Sequence, residues 1–398
     1  MAITKKPVSE LGKYIVYFYL LIFPFGQLLR VNLNKIGIDF SFPLIDLIVT
    51  LSLFTILIKK RGGYFKNFYG FMAAASFSLI ISLVSYSFLE ILPGLLYFQR
   101  LISYFALFAV VIVSIREKTL DRLSLIQFLQ IVSFFIIALG WLQYFMFPDL
   151  RSLRYVGWDD HLYRIVGSFL DPGFAGLILV LGGILTLGRF FATKNKIHFA
   201  LFILSAITVA FTYSRASYLA FLIAVITLGF LYKKFLLPVV FTVSFLLSLT
   251  LLPRPSSEGV KLERTYSISA KFQNYFETIK IIKNSPVFGV GYNSLCLVRQ
   301  KLFNDNSKSH SCYGSDSSLL FLLATTGVVG FMTLANTFLR IFKDFVKNQY
   351  YKILIASFLA IIIHSLFLNS LFYSWVMGWM VILMGITIKK RSKTVTYG

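Results

Sequence analysis

What most limits the fold of this chain is a succession of long apolar runs, each cut off by a short polar or basic break. The runs fall at roughly 14–29, 40–58, 68–89, 91–115, 123–147, 165–188, 197–213, 216–232, 235–252, 318–339, 353–372 and 374–388. A bilayer crossing takes about 20 apolar residues, so roughly twelve crossings absorb most of the apolar part of the chain. The composition agrees: 57% hydrophobic, 14% charged, with a mean hydropathy of +0.77. A water-solvated globular domain and a disordered chain are both excluded. Lipid offers backbone amides no partner, and barrel strands would alternate polar with apolar residues, which these runs do not. The expectation is an all-α polytopic membrane protein with about twelve transmembrane helices. Lys5, Lys6 and Lys13 precede the first run in the manner of a secretory signal. Only Gln27, Leu28, Leu29 and Arg30 follow it, with no small-residue cleavage site, so an uncleaved first helix is expected.

The net charge of +23 taken alone suggests nucleic acid. Its distribution argues otherwise. Basic residues cluster in every second break: Lys59, Lys60, Arg61 and Lys66; Arg116, Lys118 and Arg122; Arg189, Lys194 and Lys196; Lys233 and Lys234; Arg340, Lys343, Lys347 and Lys352; Lys389, Lys390, Arg391 and Lys393. Retention of lysine and arginine on the cytoplasmic side predicts both termini cytoplasmic and the intervening segments outside. The charge is a topology signal, and nucleic acid is not expected as a partner. The long segment 253–317 then lies outside, with room for soluble structure. Within it Ile268, Phe272, Tyr275, Phe276, Ile279 and Ile282 recur at helical spacing, predicting an amphipathic helix over about 269–283 that ends before Pro286. A shorter outer segment, 148–163, carries Arg151, Arg154, Trp158, Asp159, Asp160 and His161.

Charges inside an apolar bundle are expensive and mark candidate sites. Asp46, Arg100, Asp171 and Arg215 stand in or at the ends of crossings. Arg215 occupies a hairpin, Tyr213 to Ser217, too short to do more than turn. Arg164 opens the sixth run, where Asp171-Pro172-Gly173 suggests either a broken helix lining a cavity or an aspartate capping the lower half-helix. Arg164 beside Arg215 at one outer rim would suit a diphosphate, because planar guanidinium forks bind phosphate oxygens bidentately. Arg100 either completes that pocket or pairs with Asp46 or Glu90. His310, just before the tenth run, could accept a hydroxyl proton, and His364 reads as a buried hydrogen-bonder between helices. Gly289-Val-Gly291 lacks the third glycine and the strand of a dinucleotide fingerprint, and Ser309 beside His310 is not a triad. No metal-ligand spacing is present, and neither metal nor cofactor is expected. Cys296 and Cys312 both fall outside, where an oxidising compartment permits a disulfide and equally leaves free thiols open.

Four strings in order resemble the bacterial O-antigen ligase and polymerase family. They are Arg164-Ile-Val-Gly-Ser-Phe-Leu-Asp-Pro-Gly; Tyr213-Ser-Arg-Ala-Ser; Asn284-Ser-Pro-Val-Phe-Gly-Val-Gly-Tyr; and Asp316-Ser-Ser leading to Thr325-Thr-Gly-Val-Val-Gly330. The resemblance covers about 160–335. It implies a GT-C-like, metal-independent membrane glycosyltransferase that uses a polyprenyl-diphosphate-linked oligosaccharide as donor and a glycan or glycolipid as acceptor. The expected place is the outer face of a bacterial cytoplasmic membrane, in surface polysaccharide synthesis. The family's arginines fall by the match on Arg164 and Arg215. Its ligase members carry a histidine where Asp316 stands here, while His310 lies six residues earlier, so the base is left between Asp316 and His310, and polymerase is favoured over ligase. Arg100 and Asp171 are possible accessory residues. The organisation expected is a scaffold, 1–150, a ligase/polymerase-like core, 151–340, that includes the outer segment 253–317, and a terminal hairpin with a basic tail, 341–398. The rival reading is a transporter or flippase of lipid-linked glycans.

Overall fold

The computed structural model describes residues 7–32, 41–59, 63–156, 159–255, 257–263, 265–304, 312 and 314–389. Helices dominate, as lipid solvation requires. In chain order they are α1 (Pro7–Ile22), α2 (Leu44–Lys59), α3 (Tyr69–Ser82), α4 (Phe88–Arg116), α5 (Arg122–Met146), α6 (Pro172–Thr193), α7 (Lys196–Ala210), α8 (Arg215–Tyr232) and α9 (Leu236–Thr250). Then follow α10 (Tyr266–Asn284), α11 (Leu295–Phe303), α12 (Ser318–Phe342), α13 (Gln349–His364) and α14 (Ser374–Thr387). A short antiparallel hairpin, β1 (Arg30–Asn32) with β2 (Ser41–Pro43), joins α1 to α2. Among the described residues six helical segments are long and apolar enough to cross a membrane, and five shorter apolar helices accompany them. Exposed Leu21, Phe54, Ile80, Phe145, Phe230 and Leu339 cover outward faces of six different helices. In water such a belt would be a liability; in lipid it is the solvated surface. The protein is an all-α polytopic membrane protein.

The long apolar helices run alternately between two ends. At the end rich in lysine and arginine, Arg122 Nη2 donates to the Ile388 carbonyl at 2.6 Å and Thr337 Oγ1 to the Asn67 carbonyl at 2.9 Å. At the opposite end, which carries the long segment and is called the loop end below, Trp375 Nε1 donates to the Phe23 carbonyl at 3.1 Å. Helix starts at both ends have side-chain caps. Ser87 and Glu90 form a reciprocal capping box on α4, Asp121 caps α5, Asn195 caps α7, Ser214 caps α8, Ser317 caps α12 and Asn348 caps α13. Each occupies one or more of the amides that a first turn leaves unpaired.

At the centre lies α6, the most enclosed of the spanning segments. Its glycines let neighbours reach the backbone: a Cβ at Gly176 would stand 2.3 Å from Ser217 Oγ of α8, and one at Gly188 would stand 2.4 Å from Ile353 of α13. Small residues at such crossings give close packing where no hydrophobic drive exists between helices in lipid.

The first run gives way after Ile22 to a 3-10 segment with Gly26 at φ 53°, the third stops at Ser82, and three further runs depart from the single helices expected of them. The sixth does not begin at 165. Gly167 and Leu170 take positive φ, and helix starts only at Pro172, with Asp171 as its cap. The capping reading of Asp171 therefore replaces the broken-helix one, although no half-helix precedes it. The eleventh run stops at His364, and residues 365–373 are a connection rather than helix.

The tenth run, α12, is interrupted at Gly327 (φ 64°, ψ −171°). The segment after α10 enters the bundle and satisfies the exposed backbone there. Val290 N donates to the Ala324 carbonyl (3.0 Å) and Gly291 N to that of Thr325 (3.2 Å). In return Val328 N donates to the carbonyl of Pro286 (2.9 Å) and Val329 N to that of Val287 (3.1 Å). Ser78 of α3 adds a bond from Oγ to the Thr325 carbonyl at 2.5 Å. Backbone without helical bonds is tolerated at this depth only when protein supplies the partners. The expected amphipathic helix is α10. The short α11 was not anticipated, and Cys296 within it is disulfide-bonded to Cys312 across 16 residues.

Gly327→Ala should cost about 3 kcal/mol or more, because its backbone conformation is one that only glycine adopts readily. A Cβ would also lie 2.2 Å from the Val287 carbonyl oxygen, whereas one at Gly63 meets nothing within 4 Å. Thermal unfolding in detergent should therefore fall well below wild type for Gly327→Ala and match it for Gly63→Ala. Maleimide should label neither cysteine until a reductant is added, and Cys312→Ser should expose one thiol without it.

Candidate functional site

The connection Ser365–Tyr373 dips into the loop end of the bundle, and its polar groups are met by side chains and backbone from five elements. Ser318 N donates to the Ser365 carbonyl at 2.8 Å, and Leu371 N donates to Ser318 Oγ at 3.1 Å. Tyr275 Oη and Lys271 Nζ, both from α10, donate to the carbonyls of Leu366 and Phe367 at 2.6 Å each. Arg100 Nη2 of α4 reaches the Phe372 carbonyl at 3.3 Å, and Gln27 Nε2 donates to Tyr373 Oη at 3.3 Å. His364 Nδ1 and Ser370 Oγ share a bond of 2.6 Å. A chain that leaves helical geometry inside a bundle must find such partners. Two of those found here, Lys271 and Arg100, carry charge.

On one side of this connection stand Arg164 and Arg215. Arg164 is 8% exposed. Its Nε donates to the Thr212 carbonyl at 3.0 Å and its Nη2 to the Tyr213 carbonyl at 3.3 Å. The turn it holds has Tyr213 at φ 50° and leads directly into Ser214, the cap of α8, and Arg215. Arg215 Nη1 donates to the Leu262 carbonyl at 3.1 Å, and Gly259 lies against the Arg164 side chain. Both arginines therefore lie against one stretch of the long segment, 257–263. Behind them a buried polar relay connects three helices: Ser217 Oγ contacts Ser214 Oγ (2.9 Å), the Gly173 carbonyl (3.3 Å) and His364 Nε2 (3.2 Å). Asp171 faces the same region, but one of its oxygens is engaged by the amides of Gly173 (2.7 Å) and Phe174 (2.8 Å).

Asp316 stands at the entrance of α12, 38% exposed at its side chain, with Oδ1 3.4 Å from Lys271 Nζ. Asn274 Oδ1 fixes its backbone by accepting from Asp316 N at 2.9 Å. Asn274 and Thr278 in turn hold the fully buried Arg299, whose Nη2 donates to the Asn274 carbonyl (3.1 Å) and Thr278 Oγ1 (3.0 Å), with Glu277 3.5 Å away. Burial pushes the Tyr275 hydroxyl up to about 12, with the Asp316 charge adding to it, so it stays a donor throughout ordinary pH. His310 lies outside the described residues, as does Trp158.

Across the connection lies a second charged group. Arg100 pairs with Asp46, Nη1 to Oδ2 at 3.6 Å, and stacks its guanidinium 4.4 Å from the Tyr97 ring centre. Asp46 also accepts from Tyr104 Oη (2.9 Å) and Ser374 Oγ (3.1 Å). Of the alternatives for Arg100, pairing with Asp46 is the one found. Arg30, which sequence reasoning treated only as the flank of the first helix, belongs to this group too. Its guanidinium is lowered by burial, while Tyr97, Tyr373 and Asp46 act to raise it and Arg100 to lower it. Lys271 and Asn274 read only as the polar face of the amphipathic helix, and Arg299 was missed, since a single polar residue in a long loop carries no periodic signal.

Guanidiniums thus lie on both sides of the connection, engaged by backbone carbonyls and by Asp46, and the Asp316 carboxylate is partly exposed beside Lys271. Among the described residues no group of three His, Cys, Asp or Glu could hold a metal ion. Arg164, Asp171 and Arg100 precede the segment that matches a known family, whereas Arg215, Asp316 and the Gly327 break fall within it. A search of curated proteins finds no match. Residues 200–335, about a third of the chain, match the family model described as O-antigen ligase, a match that supports the resemblance to the O-antigen ligase/polymerase family.

Proposed function

We propose that this protein is a glycosyltransferase of the outer face of a bacterial cytoplasmic membrane, extending or transferring a glycan carried on a polyprenyl diphosphate. In this reading both termini are cytoplasmic, the apolar helices make twelve crossings, and the core is 151–340 within a scaffold, 1–150, and a terminal hairpin, 341–398. The observation that carries it is the meeting of Arg164 and Arg215, far apart in sequence, beneath one stretch of the outer segment.

The donor's diphosphate binds to Arg164 and Arg215, with stretch 257–263 lifting from them to admit it. An acceptor hydroxyl oxygen attacks the anomeric carbon, the bond from that carbon to the diphosphate oxygen breaks, and the departing diphosphate keeps the electron pair. Asp316 takes the hydroxyl proton, and Lys271 keeps its carboxylate oriented when it is ionised. Arg164, kept on the carbonyls of Thr212 and Tyr213, and Arg215, released as Leu262 lifts away, stabilise the charge that grows on the leaving group. His364, Ser214 and Ser217 set the start of α8 and hence the Arg215 stem. No sugar nucleotide is required on this side of the membrane, since the lipid-linked donor already carries the activated bond.

With purified protein and a lipid-linked oligosaccharide, Arg215→Ala and Arg164→Ala should each lower transfer by about 100-fold or more while membrane insertion is kept. Wild-type product yield from Arg215→Ala would end the proposal. Asp316→Asn should lower turnover at unchanged donor affinity. In sealed vesicles the substrate should be lengthened or transferred; its passage across the bilayer unchanged would instead mark a transporter.

A further inference from the structure

At the basic end of α6 stands a buried arginine to which the described residues offer no acceptor. Arg189 is 9% exposed, and its Nε is sealed from solvent without a hydrogen-bond partner. The terminal nitrogens are not sealed, so the fork opens outward. Other buried arginines are held by the chain itself: Arg164 by the carbonyls of Thr212 and Tyr213, and Arg299 by Asn274, Thr278 and Glu277. Arg189 has no such hydrogen bond or ion pair among the described residues. A guanidinium left bare at the edge of an apolar bundle is costly, so its donors call for an acceptor from outside the chain.

The neighbours of the fork are polar or cationic. Gln130 of α5 and His198 of α7 share a bond of 2.9 Å. Tyr232 of α8 donates to the carbonyls of Gly188 and Gln349 at 3.3 and 3.4 Å, and Lys352 of α13 lies 4.1 Å from its ring centre. The charge of Arg189 is felt at both His198 and Tyr232. Lys194, one turn beyond Arg189, stands 5.7 Å from the Phe190 ring centre. Three cations with no acid paired to them among the described residues thus collect where α6, α7, α8 and α13 meet the basic end. Beside this rim the surface is apolar: Ile197, next to His198, and Phe230, near Tyr232, are exposed, and the Phe190 and Phe199 rings meet at 5.0 Å. A planar fork grips two oxygens of one phosphate. An anion that carries its own hydrocarbon suits a cationic rim bordered by lipid-facing surface better than a free one, and basic pockets between helices bind anionic head groups in this way.

We infer that Arg189 anchors an anionic phospholipid from the leaflet at the basic end, with the lipid phosphate on its guanidinium, Lys194 and Lys352 flanking the head group, and the acyl chains on the apolar surface beside Ile197. The site lies at the end opposite Arg164 and Arg215 and takes no part in the proposed transfer. The bound phosphate supplies the acceptor that Arg189 lacks and ties the ends of α6, α7, α8 and α13 together.

The test titrates the full chain in a non-ionic detergent with phosphatidylglycerol and reads bound copies by native mass spectrometry. The first copy should bind wild type about tenfold more tightly than phosphatidylcholine does, and Arg189→Gln should remove that preference. Lys352→Gln should weaken the first copy by a smaller factor. Lys343→Gln, at the same end but on the last turn of α12, should leave it unchanged. Equal binding of the two lipids by wild type would sink the site, and equal loss in Lys343→Gln would reduce it to the general pull of a basic surface. Inorganic phosphate at the same concentration should leave the lipid in place; its displacement by phosphate would make this a soluble-anion site instead. Thermal unfolding separates a lipid anchor from a structural arginine. Without phosphatidylglycerol, Arg189→Gln should unfold at or above the wild-type temperature, since an unmet charge has gone. With phosphatidylglycerol, wild type should rise and the variant should not. A variant that unfolds below wild type without the lipid, or fails to fold, would show that the protein itself holds Arg189, and the inference would fall.

Discussion

The site region depends on one constraint: past its first turn the backbone of Ser365–Tyr373 leaves helical geometry inside the bundle, and most of its carbonyls must find partners elsewhere. A carbonyl or amide left unpaired in such surroundings costs several kcal/mol. The partners are drawn from α1's extension, α4, α10, α12 and α13. Because Lys271, Arg100 and Ser318 are committed to this connection, the acid of α12 and the arginine of α4 acquire fixed positions relative to each other. The charged side chains thus stabilise the connection, and the connection orders them.

The break in α12 follows the same logic one layer away. Gly327 interrupts the helix, and the stretch Pro286–Gly291 repairs it with four backbone bonds. The two family-like strings around these residues, far apart along the chain, are the two sides of one backbone pairing. Their glycines are required by geometry: at Gly289 a Cβ would stand 2.4 Å from the Thr325 backbone, nearly as close as the 2.2 Å that excludes one at Gly327. The stretch leading to Asp316 is held by this pairing on one side and, through Cys312, by α11 on the other.

Much of this was legible in the sequence. The apolar runs located the spanning helices, since lipid solvation leaves few alternatives, and the spacing of Phe272, Phe276 and Ile279 located α10. Asp46 and Arg100 were recognisable as costly intramembrane charges, and Arg164 and Arg215 through their setting in turn motifs. What stayed hidden is tertiary. Residues 365–373 are apolar enough to continue a helix, and only the partners waiting for their backbone make a connection there. Arg299, fully buried in a segment that reads as solvated loop, is held by α10 residues that no spacing rule links to it. Arg30 looked like a flank because its neighbours Tyr97 and Tyr373 lie far along the chain. The start of the sixth helix was misplaced because residues 165–170 are apolar, although the left-handed turn at Leu170 belongs to no helix.

The position of the central connection also has a consequence for biogenesis. Synthesis runs from the amino end, so α1 to α12 emerge before Ser365–Tyr373 exists. Until the α13–α14 hairpin is inserted, Lys271, Tyr275 and Arg100 lack the carbonyls that hold them, and Asp46 lacks the Ser374 hydroxyl. A nascent chain interrupted before that hairpin has most of its membrane mass in place but lacks the connection on which Lys271, Tyr275 and Arg100 converge. The last hairpin is therefore the keystone that completes the connection and the side chains gathered on it.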